Sequence, residues 1–274
     1  MRAPVGAPGL ARSAAFVAIV ALIAAAFLPA LRVPLAVALV AGLAVALPGR
    51  GRAADLRLPL AATLPAAVLL VLRTVPPPVA TGPGWCVEPF PPPVLWRGAE
   101  AALAIGAVLV PGRLIGSGPR AIGLVRPGGR ELAGALAVGI VIAAGALALG
   151  TTFAAPFFGA ISFTAGDPRS LLPATAAALA NGALEEVVYR GAMLVWLTPV
   201  VGLRGAIVLQ ALVFGAAHTG TDFTGSPIPV MAAVATAGAI GGIIASVRRS
   251  LVLPIVLHAA FDVPLFYVVA CRLG

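Results

Sequence analysis

Long apolar runs follow one another along this chain, separated by short stretches that carry arginine, proline and glycine. A helix needs about 20 apolar residues to cross the hydrocarbon of a bilayer, with a range of roughly 17–25. The runs that approach this length are 13–31, 33–48, 58–73, 95–112, 132–156, 171–197, 204–218, 228–247 and 250–271. The second, third and seventh are short. The pattern therefore predicts an all-α, polytopic membrane protein with eight or nine transmembrane helices. The first run follows MRAPVGAPGLARS and lacks a small-x-small cleavage site, so an uncleaved first transmembrane helix is expected rather than a signal peptide. Two regions are expected: an N-terminal transmembrane region, 1–131, with an outer Pro-rich loop at 74–94, and a C-terminal membrane core, 132–274. There is no evident internal repeat.

Composition strengthens this reading. Hydrophobic residues make up 61% of the 274 residues and charged residues 10%, where soluble domains carry roughly 25%. The net charge is +9, and all 18 basic residues are arginine. They sit at the ends of apolar runs, which suits anionic lipid headgroups and the setting of topology. No basic cluster is interleaved with aromatics, which sets nucleic acid aside. With a cytoplasmic N-terminus, the inward segments hold Arg2 and Arg12; Arg50, Arg52 and Arg57; Arg113, Arg120, Arg126 and Arg130; Arg204; and Arg248 and Arg249. That is 12 of the 18 arginines inside, as the positive-inside rule expects. The absence of lysine and the wealth of Ala, Gly and Pro suggest a GC-rich bacterial genome, hence a bacterial plasma membrane. Cys86 and Cys271 form no CxxC motif. Both fall on the outer side, either as one disulfide or as two unpaired thiols.

The stretch NGALEEVVYRG, 181–191, breaks the pattern by placing Glu185, Glu186 and Arg190 inside a span. Each such charge costs about 2.5–3.5 kcal/mol at a helix centre, and each apolar neighbour returns about 0.3–0.6 kcal/mol. The two sums are comparable, so the charges must face other helices or a watery cavity. Intramembrane charges of this kind mark functional sites. Glu186 and Arg190 are four residues apart and share a face, which makes them a structural pair. Glu185 points about 100° away, beside Asn181 and Tyr189, and is read as the free carboxylate. The chain has two histidines, both within apolar runs: His218 in FGAAH and His258 in LPIVLHAAFD. His258 shares a face with Asp262, one turn on. Counted inward at 1.5 Å per residue, Glu185, His218, His258 and Asp262 lie about 18, 21, 12 and 18 Å deep.

A carboxylate and an imidazole around a water form a general-base site, and a second imidazole can donate to an oxyanion. Alternatively, His218, His258 and Glu185 are three ligands for a divalent metal such as zinc, with a position left for an activated water. Both routes are hydrolytic, and the residues leave them open. Neither GxSxG nor HExxH is present.

The order EEVVYRG, FGAAH, HAAFD fits EExxxR, FxxxH and HxxxN/D. It resembles the CPBP family of intramembrane proteases, which includes type II CAAX prenyl endopeptidases and bacteriocin-processing or self-immunity proteins. The resemblance covers Leu171 to Asp262. It implies an all-α membrane fold whose catalytic core is the 132–274 region, with a cavity open to the cytoplasmic side. It further implies that Glu185 and His218 activate water, that His258 and Asp262 support the oxyanion, and that Glu186 and Arg190 complete the first motif. The family's metal-dependent and metal-free, glutamate-dependent routes both stay open. The implied partners are membrane lipid and a peptide or protein substrate, with or without a prenyl group. Many members carry Asn where this chain has Asp262. An ionised carboxylate cannot donate to an oxyanion, so Asp262 instead orients His258, binds metal or stays protonated. Two rival functions are a proton-coupled transporter and a non-catalytic bacteriocin-immunity or scaffold protein. Phe214 is read as packing, and Gly238, Gly241 and Gly242 as small-residue helix contacts.

Overall fold

The computed structural model describes residues 8–75, 92–150, 152, 170–219 and 226–270. Cys86, Cys271 and most of the Pro-rich loop lie outside the described residues. Among the described residues the regular elements are all helical. The long ones are α1 (Pro8–Phe27), α2 (Arg32–Ala46), α3 (Arg57–Leu72), α4 (Pro92–Leu114), α5 (Gly129–Leu149), α6 (Leu171–Glu186), α7 (Leu194–Ala216), α8 (Pro227–Arg248) and α9 (Val252–Ala270). A π-helical segment, Val187–Met193, joins α6 to α7.

Each predicted span coincides with helix, with one difference of connection. The spans expected at 171–197 and 204–218 form one continuous helical run, Leu171–Ala216, of 46 residues. Gly202 breaks its course with φ 78° and ψ 162°, a conformation closed to residues with a Cβ. In the fifth span α5 ends at Leu149, where Gly150 leaves helical geometry at φ 50°, and 153–156 lie outside the described residues.

The distribution of side chains is that of a membrane protein. Val20, Val45, Val141 and Ile228 are 65%, 71%, 71% and 74% exposed, whereas Glu185 is fully buried. Apolar groups face outward and the charges lie inside, since hydrocarbon offers polar groups no partner. Arginines at span ends act locally as caps. Arg32 Nε and Nη2 donate to the carbonyls of Ala25 and Ala26, each at 3.1 Å. Arg57 Nε donates to the Ala46 carbonyl at 2.9 Å. These satisfy carbonyls that a helix C-terminus leaves open.

The N-terminal helices are packed into the rest of the bundle. α3 packs on α1, α2, α4 and α7, and α4 packs on α6. On the C-terminal side α6 packs on α9, α9 on α5, and α7 on α8. Small residues set these approaches. A Cβ at Gly182 would meet the Ile255 carbonyl oxygen at 3.1 Å and the Ala259 nitrogen at 3.2 Å, so α6 and α9 touch backbone to backbone there. At Gly215 a Cβ would lie 2.6 Å from the Met231 carbonyl oxygen and 2.9 Å from Ala235 Cβ. Gly238 and Gly242 likewise receive Phe214 and Gln210 closely, as small-residue contacts do.

This packing makes a specific stability prediction. Gly215→Ala has no room between α7 and α8 and is expected to cost about 1–3 kcal/mol. Gly106→Ala, where a Cβ meets nothing within 4 Å, is expected to be neutral or slightly stabilising through helix propensity. Thermal unfolding midpoints of both variants in one detergent check the contrast.

Candidate active site

The four polar elements singled out in the sequence meet in one cluster. Glu185 and Glu186 end α6, Arg190 stands on the π segment, His218 follows α7, and His258 and Asp262 lie on α9. Glu185, Glu186, Arg190 and His218 are 0%, 2%, 3% and 9% exposed. The π segment widens the chain directly after the two glutamates, and the Leu194 amide bonds the Tyr189 carbonyl across it. Insertions of this type recur at functional sites.

Glu185 stands at the centre. Its Oε2 is buried with no hydrogen-bond partner, and His218 Nε2 and His258 Nε2 each lie 3.5 Å from it. The outer nitrogen of each ring is held. His218 Nδ1 lies 2.7 Å from the Phe214 carbonyl oxygen, which only accepts, so Nδ1 carries the proton. His258 Nδ1 lies 2.8 Å from Glu186 Oε1, and an ionised carboxylate also only accepts. In their neutral forms both Nε2 atoms are thus acceptors turned toward an acceptor oxygen. A proton donor between them, such as a water, or a proton on an imidazole resolves that conflict.

Glu186 and Arg190 pair as expected, with Arg190 Nη1 3.0 Å from Glu186 Oε1. The same carboxylate oxygen orients His258, so the pair also reaches the imidazole. Arg190 lies over the Phe214 ring, 4.1 Å from its centroid. That ring also meets Tyr189, His218 and His258 at centroid distances of 5.0, 4.6 and 5.9 Å. Phe214 therefore packs, as anticipated, while its carbonyl fixes the His218 tautomer. Asp262 Oδ2 lies 3.5 Å from His258 Nε2 and accepts from Asn181 Nδ2 at 2.7 Å.

One expectation is corrected. Glu185 is not a free carboxylate, because Arg73 Nη2 donates to its Oε1 at 2.5 Å. Arg73 Nη1 also donates to the Ala217 carbonyl, the residue before His218. Arg73 caps α3, so the N-terminal region supplies a group that touches Glu185 and the backbone leading into His218. In the sequence it looks like any arginine at a span end. Its only distinguishing sign is its placement on the outward side, where the topology puts few arginines. Two guanidinium groups, Arg73 and Arg190, thus face three carboxyl groups, Glu185, Glu186 and Asp262.

Among the described residues no three His, Cys, Asp or Glu side chains are grouped so as to hold a metal ion. A guanidinium already takes one oxygen of Glu185. As they stand these side chains are not grouped as metal ligands, and Arg73 leaves only Oε2 of Glu185 to serve as one.

Residues 167–264 match a family model described as Type II CAAX prenyl endopeptidase Rce1-like. Over these residues the match supports a likeness to the CPBP family of membrane proteases. At the level of the family, the activity is that of an intramembrane CAAX-type endopeptidase. The match includes Glu185, Glu186, Arg190, His218, His258 and Asp262, and it leaves Arg73 outside. Neither a curated protein nor a solved structure matches the chain.

The Arg73 contact predicts a stability coupling. Arg73→Leu leaves Glu185 buried without its counter-ion, a change that typically costs about 3–5 kcal/mol. Adding Glu185→Gln removes the uncompensated charge and is expected to recover most of the loss. A double-mutant cycle on unfolding free energy in detergent checks this; additive losses would show that the pair is not coupled.

Proposed function

We propose that this chain is an intramembrane endopeptidase that hydrolyses peptide bonds of membrane-associated substrates with a water activated by Glu185 and His218. The observation that carries the reading is Glu185 Oε2, fully buried, without a hydrogen-bond partner, and flanked by two imidazole Nε2 atoms at 3.5 Å each. Glu185 Oε2 takes a proton from water as the oxygen attacks the scissile carbonyl. The carbonyl becomes a tetrahedral oxyanion, and the proton then passes to the leaving amine, whose bond to carbon breaks. Arg73 occupies Oε1, so Oε2 is the oxygen left for this transfer. His218 holds the water, with its ring fixed from behind by the Phe214 carbonyl.

His258 supports the oxyanion in its protonated form, stabilised by Glu186 on one nitrogen and Asp262 near the other. Asp262 then serves as an orienting acceptor. The amide donor that many family members carry at this position is supplied here by Asn181, one turn before Glu185. One of its N–H groups goes to Asp262 and the second is available to the oxyanion. By the placement of loop arginines the site opens toward the cytoplasm and the N-terminus is cytoplasmic.

Two predictions test this. Glu185→Gln, expressed at a level matched to the parent, is expected to abolish cleavage, a loss of about 10²–10⁴-fold for a general base. Comparison of protein termini in host membranes reads it: products that depend on Glu185 identify the substrate and whether it is prenylated. Identical termini with a phenotype that survives the substitution favour the immunity or scaffold role. The second prediction concerns the amide. Asn181→Ala is expected to lower kcat with KM little changed, whereas Asp262→Asn restores an amide at the family position and is expected to retain activity. If Asn181→Ala cleaves like the parent, Asn181 has no part in oxyanion support.

A further inference from the structure

Arg190 has a second setting that the proposed chemistry does not use. It lines a cavity of about 340 Å³ between the 118–123 turn, the start of α7 and the end of α8. Glu185, His218, His258 and Asp262 do not line this cavity. Three arginines do, Arg120, Arg190 and Arg249, together with Ser250, and no acidic residue joins them.

The cations are under-used. Arg190 is 3% exposed; its Nη1 pairs with Glu186 Oε1 at 3.0 Å, but its Nε makes no hydrogen bond. A buried guanidinium nitrogen without an acceptor is costly. Arg120 and Arg249 are exposed, and among the described residues neither guanidinium has an ion pair or hydrogen bond. Ser250 is buried, and its Oγ accepts from the Val252 amide at 3.3 Å, which leaves its own proton to donate. Inner and outer donors thus surround a space that contains no counter-charge.

The backbone gives an independent sign. Arg249 adopts φ 52° and ψ 29°, and is the one non-glycine residue with positive φ among the described residues. This position after a helix ordinarily belongs to glycine or asparagine. A long cationic side chain retained there, at a conformational cost, points to a role for the side chain.

We propose that this cavity binds a phosphate-class oxyanion, with Arg190 as the inner contact and Arg120 and Arg249 as the outer ones. Guanidinium groups match the planar, multiply accepting face of such a group. Its source is either an anionic lipid headgroup or free phosphate. The cavity lies where two arginine-bearing connections meet, since the Leu251 amide bonds the Gly123 carbonyl at 3.1 Å.

The test uses the full chain in phosphatidylcholine nanodiscs. It compares the parent, Arg120→Gln/Arg249→Gln, and Arg50→Gln/Arg52→Gln as a control that loses the same charge elsewhere. Phosphatidylglycerol retention is read by native mass spectrometry. The effect of inorganic phosphate on the thermal midpoint is read at constant ionic strength. The cavity variant is expected to bind the occupying probe about tenfold or more weakly, with the control near the parent. A selective loss with phosphatidylglycerol assigns a headgroup, and one with inorganic phosphate assigns the free anion. Arg249→Gly guards against misfolding: it relieves the positive φ and should raise the midpoint while weakening anion binding. Equal behaviour of the cavity and control variants with both probes, or unchanged binding in Arg249→Gly, would overturn the proposal.

Discussion

A carboxylate buried in a bundle that faces lipid must be neutralised by the protein itself, because neither water nor hydrocarbon will do it. Glu185 is that carboxylate, and the Arg73 guanidinium on α3 meets it at 2.5 Å. The rest of the core follows from this contact. α3 must pack beside the π segment and α7, the end of α7 must come close enough for Arg73 to reach the Ala217 carbonyl, and His218 is carried in with it. Removal of the positive partner leaves a charge with no alternative solvation, which is why buried pairs are costly to break even where they add little net stability.

The second requirement is close approach of backbones. Glu186 reaches His258, and Asn181 reaches Asp262, only because α6 and α9 touch at Gly182. With the Phe214 carbonyl on His218, the Glu186 contact on His258 holds each imidazole by its Nδ1 atom and leaves both Nε2 atoms aimed at one oxygen. Preorganisation of this kind lowers the reorganisation needed as charge develops on a reacting group. The π segment contributes by turning Arg190 onto Glu186 and Phe214 while Tyr189 makes a T-shaped contact with that ring. The polar cluster is therefore held by four helices, the widened turn after Glu186, and the turns just past α3 and α7 that carry Arg73 and His218.

The chain also shows how one residue type serves several physical ends. Arginine is its only basic residue, with 18 copies. Arg32 and Arg57 cap helix carbonyls, Arg73 and Arg190 balance buried carboxylates, and Arg120 and Arg249 face a cavity with no anion of their own. Composition sees a single basic excess. The forked, permanently charged guanidinium explains why the same group suits all three settings.

The all-helical class and the apolar exterior were legible from the chain alone, because a span must be long and apolar to satisfy the bilayer, whereas the eight or nine spans expected compare with seven helices long and apolar enough to cross among the described residues. The polar cluster was legible for a related reason: charges in hydrocarbon are expensive enough that Glu185, Glu186, Arg190, His218, His258 and Asp262 stand out against apolar runs. Depth counted along separate helices already placed Glu185, His218, His258 and Asp262 at similar levels, about 12–21 Å. The partner of Glu185 was hidden, since Arg73 sits at a span end where arginine is ordinary and 112 residues separate the two. The continuous run from Leu171 to Ala216, the widened turn after Glu186 and the Asn181–Asp262 contact were hidden as well. Local sequence determines what can lie in a membrane and which residues must be shielded there. Which group does the shielding depends on how helices pack across long separations, and that only the tertiary structure decided.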